Sequence, residues 1–445
     1  MVGACAEGES RNPKILRIKS ALLSGIVGNL SYLCSASFRR AEFGCQAGHR
    51  DRKMKIAVLT SGILPVPAVQ GGAVETLVDH YLAYNGRYRL HDITVFSVYH
   101  PAVETHEALR SDANHYLFID TRSLFAKVRK RLHGLTHRDT YYHYSIDYFF
   151  RQAQSIIAKS DFDCIILENR PGYALQLREV TKAKLVYHLH NDFLNDATRD
   201  GQALYQAATK IITVSDYING RVRTCNKDDR KCVTVYNGID LTPFSVTPSV
   251  ARETLGYDEE DFVLVFSGRL IPEKGILELI EALNQLKDEP RIKLLVMGSL
   301  FYDTKGSEDP FMLELKTRAK EMGDRVRFTG YVRHDAIADY LRLADVAVIP
   351  STWEEPFGLT VAEGMAAGLP IITTPRGGIP EMVTEENAIV VPTTGDFAGN
   401  LAKAIRSLYL DKEGRERMGE ASRQLSGKYT KEIYAKNFLD AVAGI

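Results

Sequence analysis

The sequence predicts an α/β protein of two parallel-sheet domains facing a central cleft. Three observations lead there. The chain has 445 residues, more than one hydrophobic core ordinarily serves. Short runs rich in Val, Ile and Leu, such as Ile56–Leu59 and Val263–Phe266, alternate with stretches of helical apolar spacing. Buried parallel strands and their crossover helices read this way. Glycines and isolated charges gather in the loops after several of those runs, where a parallel sheet holds its ligands.

Composition sets outer bounds. Apolar residues make up 45% and charged residues 25%, ordinary for a globular chain. Lys plus Arg and Asp plus Glu both number 56, so no bulk positive charge argues for a nucleic-acid partner. None of the six cysteines stands in a C-x-x-C pair, and a reducing cytoplasm is expected. No apolar run is long enough to span a bilayer.

Residues 1–53 are rich in Arg, Ser, Gly and Cys and only weakly periodic. They read as a disordered or dispensable extension, with a short helix over 15–33 as its one structured option. The first domain is expected over 54–236 and opens with a strand, Lys55–Ser61. Gly71-Gly72 then precedes an amphipathic helix. Paired glycines let a backbone come close to a ligand, and a helix start offers N–H groups to phosphate. Glu75 is placed to cap or line that helix.

Strands follow at Ile93–Val98 and Tyr116–Ile119. Over 122–138, Leu124, Phe125, Val128, Leu132 and Leu135 recur at helical spacing among six Lys and Arg residues. This reads either as a solvated basic face or as a patch for anionic lipid headgroups. Two further strands, Cys164–Glu168 and Leu185–Leu189, come next. The second runs into His188-Leu189-His190-Asn191-Asp192. Alternation puts both histidines on one side, but only His190 stands at the carboxyl end, where ligands gather. Strands Lys210–Ser215 and Val233–Tyr236 close this half. Asn237-Gly238 is a turn signal, and Pro243 and Pro248 mark a boundary.

The second domain is expected over 237–429. Strand Phe262–Ser267 leads into Gly268-Arg269-Leu270-Ile271-Pro272-Glu273-Lys274-Gly275 and a helix, Ile276–Leu286. Two cations five positions apart in such a loop can neutralise a diphosphate without metal. Strand Lys293–Gly298, helix Phe311–Met322 and strand Val326–Thr329 follow. Gly330-Tyr331-Val332 turns into a helix over His334–Leu343. Strand Val346–Ile349 then enters a polar loop, and a helix starts at Leu359 and stops at Gly368 before Pro370. Glu355 lies in the loop and Glu363 one turn into the helix. The N–H groups of Phe357, Gly358 and Leu359 are free donors at the helix start. Gly377-Gly378 precedes Glu381, which reads as a ligand contact or a helix cap. A last helix spans 430–445.

The stretch EPFGLTVAEGMAAGLPIITTPRGGIPEMV resembles the E-x7-E signature of retaining family-4 glycosyltransferases with the GT-B fold, which is two Rossmann-like domains. GRLIPEKG resembles the family's G-R-x4-K-G motif, YNGID its interdomain linker, and HLHNDFLN the version in bacterial capsule and spore-coat members. The resemblance covers about 54–445 and is strongest over 263–391. It implies sugar transfer from a UDP-, GDP-, dTDP- or ADP-sugar to a sugar, glycan or lipid-linked hydroxyl acceptor, with retention and no obligatory cofactor. It implies that Arg269 and Lys274 stabilise the departing diphosphate, that Glu355 holds the donor sugar and that Glu363 binds the ribose. His190, with His188 in reserve, would lie near the reacting carbon. Gly71, Gly72 and Gly268 would lie near the donor diphosphate, and Tyr331 and Val332 against the base. Phe357, Gly358 and Leu359 complete the donor set, and Asn191 and Asp192 are acceptor candidates.

No metal is expected. Asp161-Phe162-Asp163 matches the D-x-D metal signature of the other glycosyltransferase fold, but precedes a strand rather than following one. In the family the last helix packs back on the first domain. The implied setting is bacterial cell-surface polysaccharide or glycolipid synthesis, in the cytoplasm or peripherally on the inner membrane face through 122–138. Two alternatives share the architecture: a nucleotide-sugar 2-epimerase and a non-catalytic nucleotide-sugar-binding relative.

Overall fold

In the computed structural model, residues 15–18, 53–122, 144–247, 249–298 and 309–445 are described, the first four by backbone alone. The basic stretch 122–138 lies, apart from Arg122, outside the described residues. So does the extension 1–53, apart from 15–18 and Lys53. The chain divides into two compact units. One comprises Met1–His188, Gln202–Lys210 and Asp440–Ile445; the other comprises Leu189–Gly201 and Ile211–Leu439.

The first unit is built on parallel strands β1 (Ile15–Ile18), β2 (Lys55–Leu59), β3 (Asp92–Val98), β4 (Asn114–Ile119), β5 (Cys164–Glu168) and β6 (Lys184–Leu189). Their order is β1-β4-β3-β2-β5-β6. Val58 stands opposite Val95 on one side and Ile166 on the other. Both faces are covered, so β2 after Lys55 and β5 up to Glu168 are continuous apolar runs rather than alternating. Strand β1 was not expected. Ile15–Ile18 pairs with Tyr116–Ile119 and is the sheet's edge, where a helix had been the structured option. A four-residue run with isoleucine at both ends suits an unpaired edge better than an isolated helical turn.

The helix Ala73–Tyr88 follows Gly72 and buries Leu77, Val78, Tyr81 and Leu82. It ends at Arg89 in a left-handed conformation, φ 53°. Asp163, of the D-x-D triplet, accepts the Lys55 N–H at 2.8 Å. It therefore ties together the amino ends of β2 and β5, as expected of a helix-to-strand turn.

The second unit contains the parallel pair β7 (Lys210–Thr213, from its second residue) and β8 (Cys232–Thr234). It also contains the six-stranded parallel sheet of β9 (Phe262–Ser267), β10 (Ile292–Met297), β11 (Val326–Gly330), β12 (Val346–Ile349), β13 (Ile371–Thr373) and β14 (Ala388–Val390). The order β11-β10-β9-β12-β13-β14 is the Rossmann order, with the chain reversing direction between β9 and β12. Phe262, Leu264, Phe266, Leu279, Leu283, Leu401 and Ile405 belong to its core. Truncating a buried leucine of this kind costs about 2–5 kcal/mol.

The sequence reading had left 388–429 unassigned. Here β14 is followed by helices Phe397–Leu410 and Lys412–Ser426, whose starts are capped by Asp396 and Asp411. The expected helix over His334–Leu343 is a 3-10 turn, His334–Ala336, leading into a short helix, Ile337–Leu341. The last helix is Lys431–Ala443, and its end, from Asp440, groups with the first unit. There Lys210 Nζ donates to the Ala441 carbonyl at 2.8 Å. No described helix is long and apolar enough to cross a membrane.

Candidate active site

In an open parallel sheet the ligand crevice lies outside the carboxyl ends of the strands, where strand order reverses. In the second unit that point is the gap between β9 and β12. The loop after β9 carries Arg269 and Lys274; the loop after β12 carries Ser351, Glu354 and Glu355. The two loops are tied at the backbone, since Thr352 N–H donates to the Glu273 carbonyl at 2.9 Å. Gly275, at φ +70°, makes this approach possible, because a Cβ there would run into the Pro350 carbonyl.

The adjacent acids Glu354 and Glu355 have opposite fates. Glu354 is exposed and bound outward. It accepts from Arg376 Nη1 at 2.9 Å and from the Gly377 N–H at 2.6 Å. Glu355 is buried and faces the β9 loop. Its Oε1 pairs with the Lys274 ammonium and accepts from Ser351 Oγ at 2.6 Å. Lys274 also lies 5.6 Å over the Trp353 ring. Arg269 is exposed and pairs with no acid among the described residues.

Gly358, at φ +105°, caps the helix Leu359–Ala366, whose first internal donor is the Val361 N–H. The N–H groups of Gly358, Leu359 and Thr360 precede it, in the positive end of the helix field. Phe357 is buried against Tyr429, ring centroids 5.7 Å apart, and Tyr236, at 6.2 Å. Its side chain anchors the loop, which leaves its backbone as the group offered to a ligand.

Glu363 lies within that helix and is 7% exposed. No hydrogen bond reaches its carboxylate among the described residues. The nearest cationic candidate, His334 Nε2, is 3.6 Å away, too far for a hydrogen bond. Burial pushes the carboxyl up to about 7. A buried acid with no partner is costly to keep, and it is suited to a ligand that brings its own donors.

Three glycines line the ends of neighbouring strands. The Gly268 N–H donates to the Met297 carbonyl and the Gly298 N–H to the Gly330 carbonyl, both at 3.0 Å. A Cβ on Gly298 would meet the Gly268 carbonyl, whereas one on Gly330 would meet nothing within 4 Å. This edge therefore presents bare backbone to a flat ligand. Tyr331, 45% exposed, and Val332 follow it.

In the first unit, Gly71 and Gly72 have φ of 75° and 106° and lie at the start of the first helix, after β2. Glu75 turns back against Gly72 and accepts from Ser61 Oγ at 3.4 Å. Burial pushes its carboxyl up to about 7, and does the same for Asp79, which accepts the Ala68 N–H at 2.8 Å. His188 is buried, its Nδ1 lying 2.9 Å from Glu168 Oε2, and Tyr81 donates to the other Glu168 oxygen at 2.8 Å. The Glu168 contact holds the His188 ring in the sheet through Nδ1.

His190 and Asn191 fall just past the end of β6, His190 buried and Asn191 half-buried. Asp192 is held on both oxygens, by Asn195 Nδ2 at 2.8 Å and Arg221 Nε at 2.7 Å. Lys274 and Glu355 are thus in direct contact.

Sequence reading missed Ser351 and left Glu381 between a ligand contact and a helix cap. Glu381 is a cap, but for a helix far away in sequence. It accepts the N–H groups of Asp216 at 2.7 Å and Tyr217 at 2.6 Å, at the start of helix Asp216–Arg223. No local pattern announces a partner 165 residues away. Ser351 could have been flagged as a hydroxyl four residues before a loop acid at a strand end, though that signal is weak.

Residues 249–425 match the family model described as glycosyl transferases group 1, and residues 74–243 match that of glycosyltransferase family 4. Spore coat protein SA of Bacillus subtilis (strain 168) is 29% identical over 388 residues, spanning 83% of this chain and 94% of the relative. The lipopolysaccharide 1,2-N-acetylglucosaminetransferase of Salmonella typhimurium (strain LT2) is 29% identical over 281 residues, 62% of this chain and 71% of the relative. Among solved structures, Anabaena Alr3699/HepE in complex with UDP and glucose has a TM-score of 0.66 at 20% identity, over 88% of this chain and all of that one. The fold is GT-B, and the chain carries group 1 and family 4 glycosyltransferase domains.

Proposed function

We propose that this GT-B glycosyltransferase moves a hexose from a nucleotide-diphosphate sugar to a hydroxyl acceptor with retention at the anomeric carbon. One observation carries the reading: Glu363 is buried with no hydrogen bond to its carboxylate among the described residues, in the βαβ unit that also holds Glu355, whose cation Lys274 reaches it from the loop after β9. A ribose diol supplies the donors that Glu363 lacks. The diphosphate supplies the anion that Arg269, Lys274 and the N–H groups of Gly358 and Leu359 are suited to meet.

On this reading Glu355 accepts from hydroxyls of the donor sugar. The base lies along Gly268, Gly298 and Gly330, against Tyr331 and Val332. The bond from the anomeric carbon to the phosphate oxygen breaks, and the acceptor oxygen bonds to that carbon from the same face. The acceptor's proton passes to the leaving phosphate. Charge grows on that phosphate, and two fixed cations stabilise it without a metal. Gly71 and Gly72 serve the diphosphate. His190 stands near the reacting carbon, and Asn191 contacts the acceptor. Asp192, with both oxygens engaged, serves by shaping that loop.

The HepE complex with UDP makes UDP the first nucleotide to test. The Salmonella relative and the spore-coat relative favour a surface glycan or glycolipid acceptor, met in the cytoplasm or at the inner membrane face. The test is a thermal-shift series with UDP, GDP, dTDP, ADP and their sugar conjugates, with EDTA present. One nucleotide should raise the melting temperature. With its sugar conjugate as donor, Arg269→Ala and Lys274→Ala should each lower turnover by about 10²–10³-fold. Near-normal turnover in both variants refutes the assignment.

A further inference from the structure

Glu355 is held unevenly. Both of its recorded partners, Lys274 Nζ and Ser351 Oγ, are on Oε1. No side chain among the described residues takes Oε2. Ser351 itself is fully buried, the second residue past β12. Its carbonyl accepts from Thr374 Oγ1 at 2.6 Å, and Thr374, which follows β13, is also fully buried. The next peptide is pinned to the β9 loop through Thr352 and Glu273. A line of buried hydroxyls thus runs from the end of β13 through Ser351 to one oxygen of Glu355.

The two partners differ in what they can hold. A lysine ammonium is a point charge on a flexible stem, so it neutralises a carboxylate without fixing its orientation. A hydroxyl on a clamped backbone, donating at 2.6 Å to an ionised oxygen, is a short, directional, charge-assisted bond. The difference matters when an anion arrives. A diphosphate carries more charge than one carboxylate and competes for Lys274; it cannot draw away a buried hydroxyl.

We propose that Ser351 is a positioning residue, which fixes Glu355 so that Oε2 faces the donor sugar and keeps it there once the diphosphate has drawn Lys274 away. This rests on the nucleotide-sugar reading of the site. Ser351 does not touch the nucleotide, so its effect belongs to the sugar half of the donor alone.

The experiment compares two affinities by calorimetry, for a nucleoside diphosphate and for its sugar conjugate. The probes are UDP with UDP-glucose and UDP-N-acetylglucosamine, GDP with GDP-mannose, ADP with ADP-glucose, and dTDP with dTDP-glucose. In the native protein one pair binds, and the conjugate binds more tightly than the bare diphosphate. In Ser351→Ala the diphosphate affinity should stay within about twofold, while conjugate affinity falls roughly 10- to 100-fold, the loss of one hydrogen bond to a charged group. Ser351→Cys, nearly isosteric but a weak donor, should move the same way and serves if the alanine variant does not fold.

An unchanged conjugate affinity in both variants overturns the role of Ser351 and leaves the donor site standing. Equal losses for diphosphate and conjugate make Ser351 merely structural and also overturn it. No binding of any diphosphate to the native protein fails the donor-site reading itself.

Discussion

Glu363→Gln should make the ligand-free protein more stable while weakening its hold on nucleotide. The stability half follows from burial. In the unfolded chain this carboxyl gives up its proton near 4.5; in the folded chain it does so at about 7. Between those values the folded state binds more protons, so this group's contribution to stability falls as pH rises, and above about 7 the loss is complete. Its size is on the order of 3 kcal/mol. Glutamine is neutral throughout and escapes it. The variant and the native protein should therefore match near pH 4.5, diverge as pH rises, and differ by a constant amount by pH 8. For a unit of this size that is roughly 5–10 °C in melting temperature.

The binding half has the opposite sign. Ribose hydroxyls donate to an ionised carboxylate, and losing such bonds should weaken nucleotide binding roughly 10- to 100-fold. Thermal melts at pH 5 and pH 8, with and without the nucleotide that shifts the native protein, measure both halves at once. A variant no more stable than the native protein at pH 8 would mean that Glu363 is solvated. A variant that is stabilised yet binds nucleotide undiminished would remove Glu363 from the ribose site.

Two other substitutions test the loops around the site. Gly275→Ala forces an L-residue to φ +70° and drives its Cβ into the Pro350 carbonyl, so urea titration should show a loss of about 2–4 kcal/mol; an unchanged midpoint would mean that the two loops do not meet as described. Glu354→Gln and Glu355→Gln differ by one position but should differ widely in effect: the first keeps turnover within a few-fold, the second lowers it by about 10²-fold or more, and equal effects would undo the inward and outward assignment of the pair.

What the sequence made legible depended on the range of the interaction. The strands β2, β5, β9 and β12 could be read because a strand covered on both faces must be apolar along its whole length, and that constraint is local. Arg269, Lys274, Glu355 and Glu363 could be read as a set because they fall in a motif, although nothing in the pair Glu354-Glu355 says from composition which acid turns inward. The structure gives the reason: Arg376 and the Gly377 N–H claim Glu354. Both come from the turn after β13, twenty-odd residues downstream. The helix Phe397–Leu410 was legible as well, with Phe397, Leu401, Ile405 and Leu408 at helical spacing, but went unread. Strand β1 and the identity of the helix that Glu381 caps were not legible. Each is defined by a partner about a hundred or more residues away, and a four-residue run or a lone acid carries no record of it.

The charges at the site suggest why it leaves one cation free and one masked. Arg269, exposed and unpaired, can attract an incoming diphosphate from solution. Lys274, already neutralised by Glu355, adds nothing to that attraction and avoids leaving a buried acid without a partner. On the proposed reading a docked diphosphate gives that ammonium a stronger anion. Glu355, on the same reading, keeps Oε2 toward the sugar hydroxyls, with Ser351 holding Oε1. On the proposed reading Glu363 completes the exchange, because a ribose supplies donors to a buried carboxylate that no hydrogen bond reaches among the described residues. Each of these steps replaces an interaction inside the protein with one made to the donor. The set of charges and buried acids at the β9 and β12 loops, rather than any single residue, is thus what the donor-site proposal rests on.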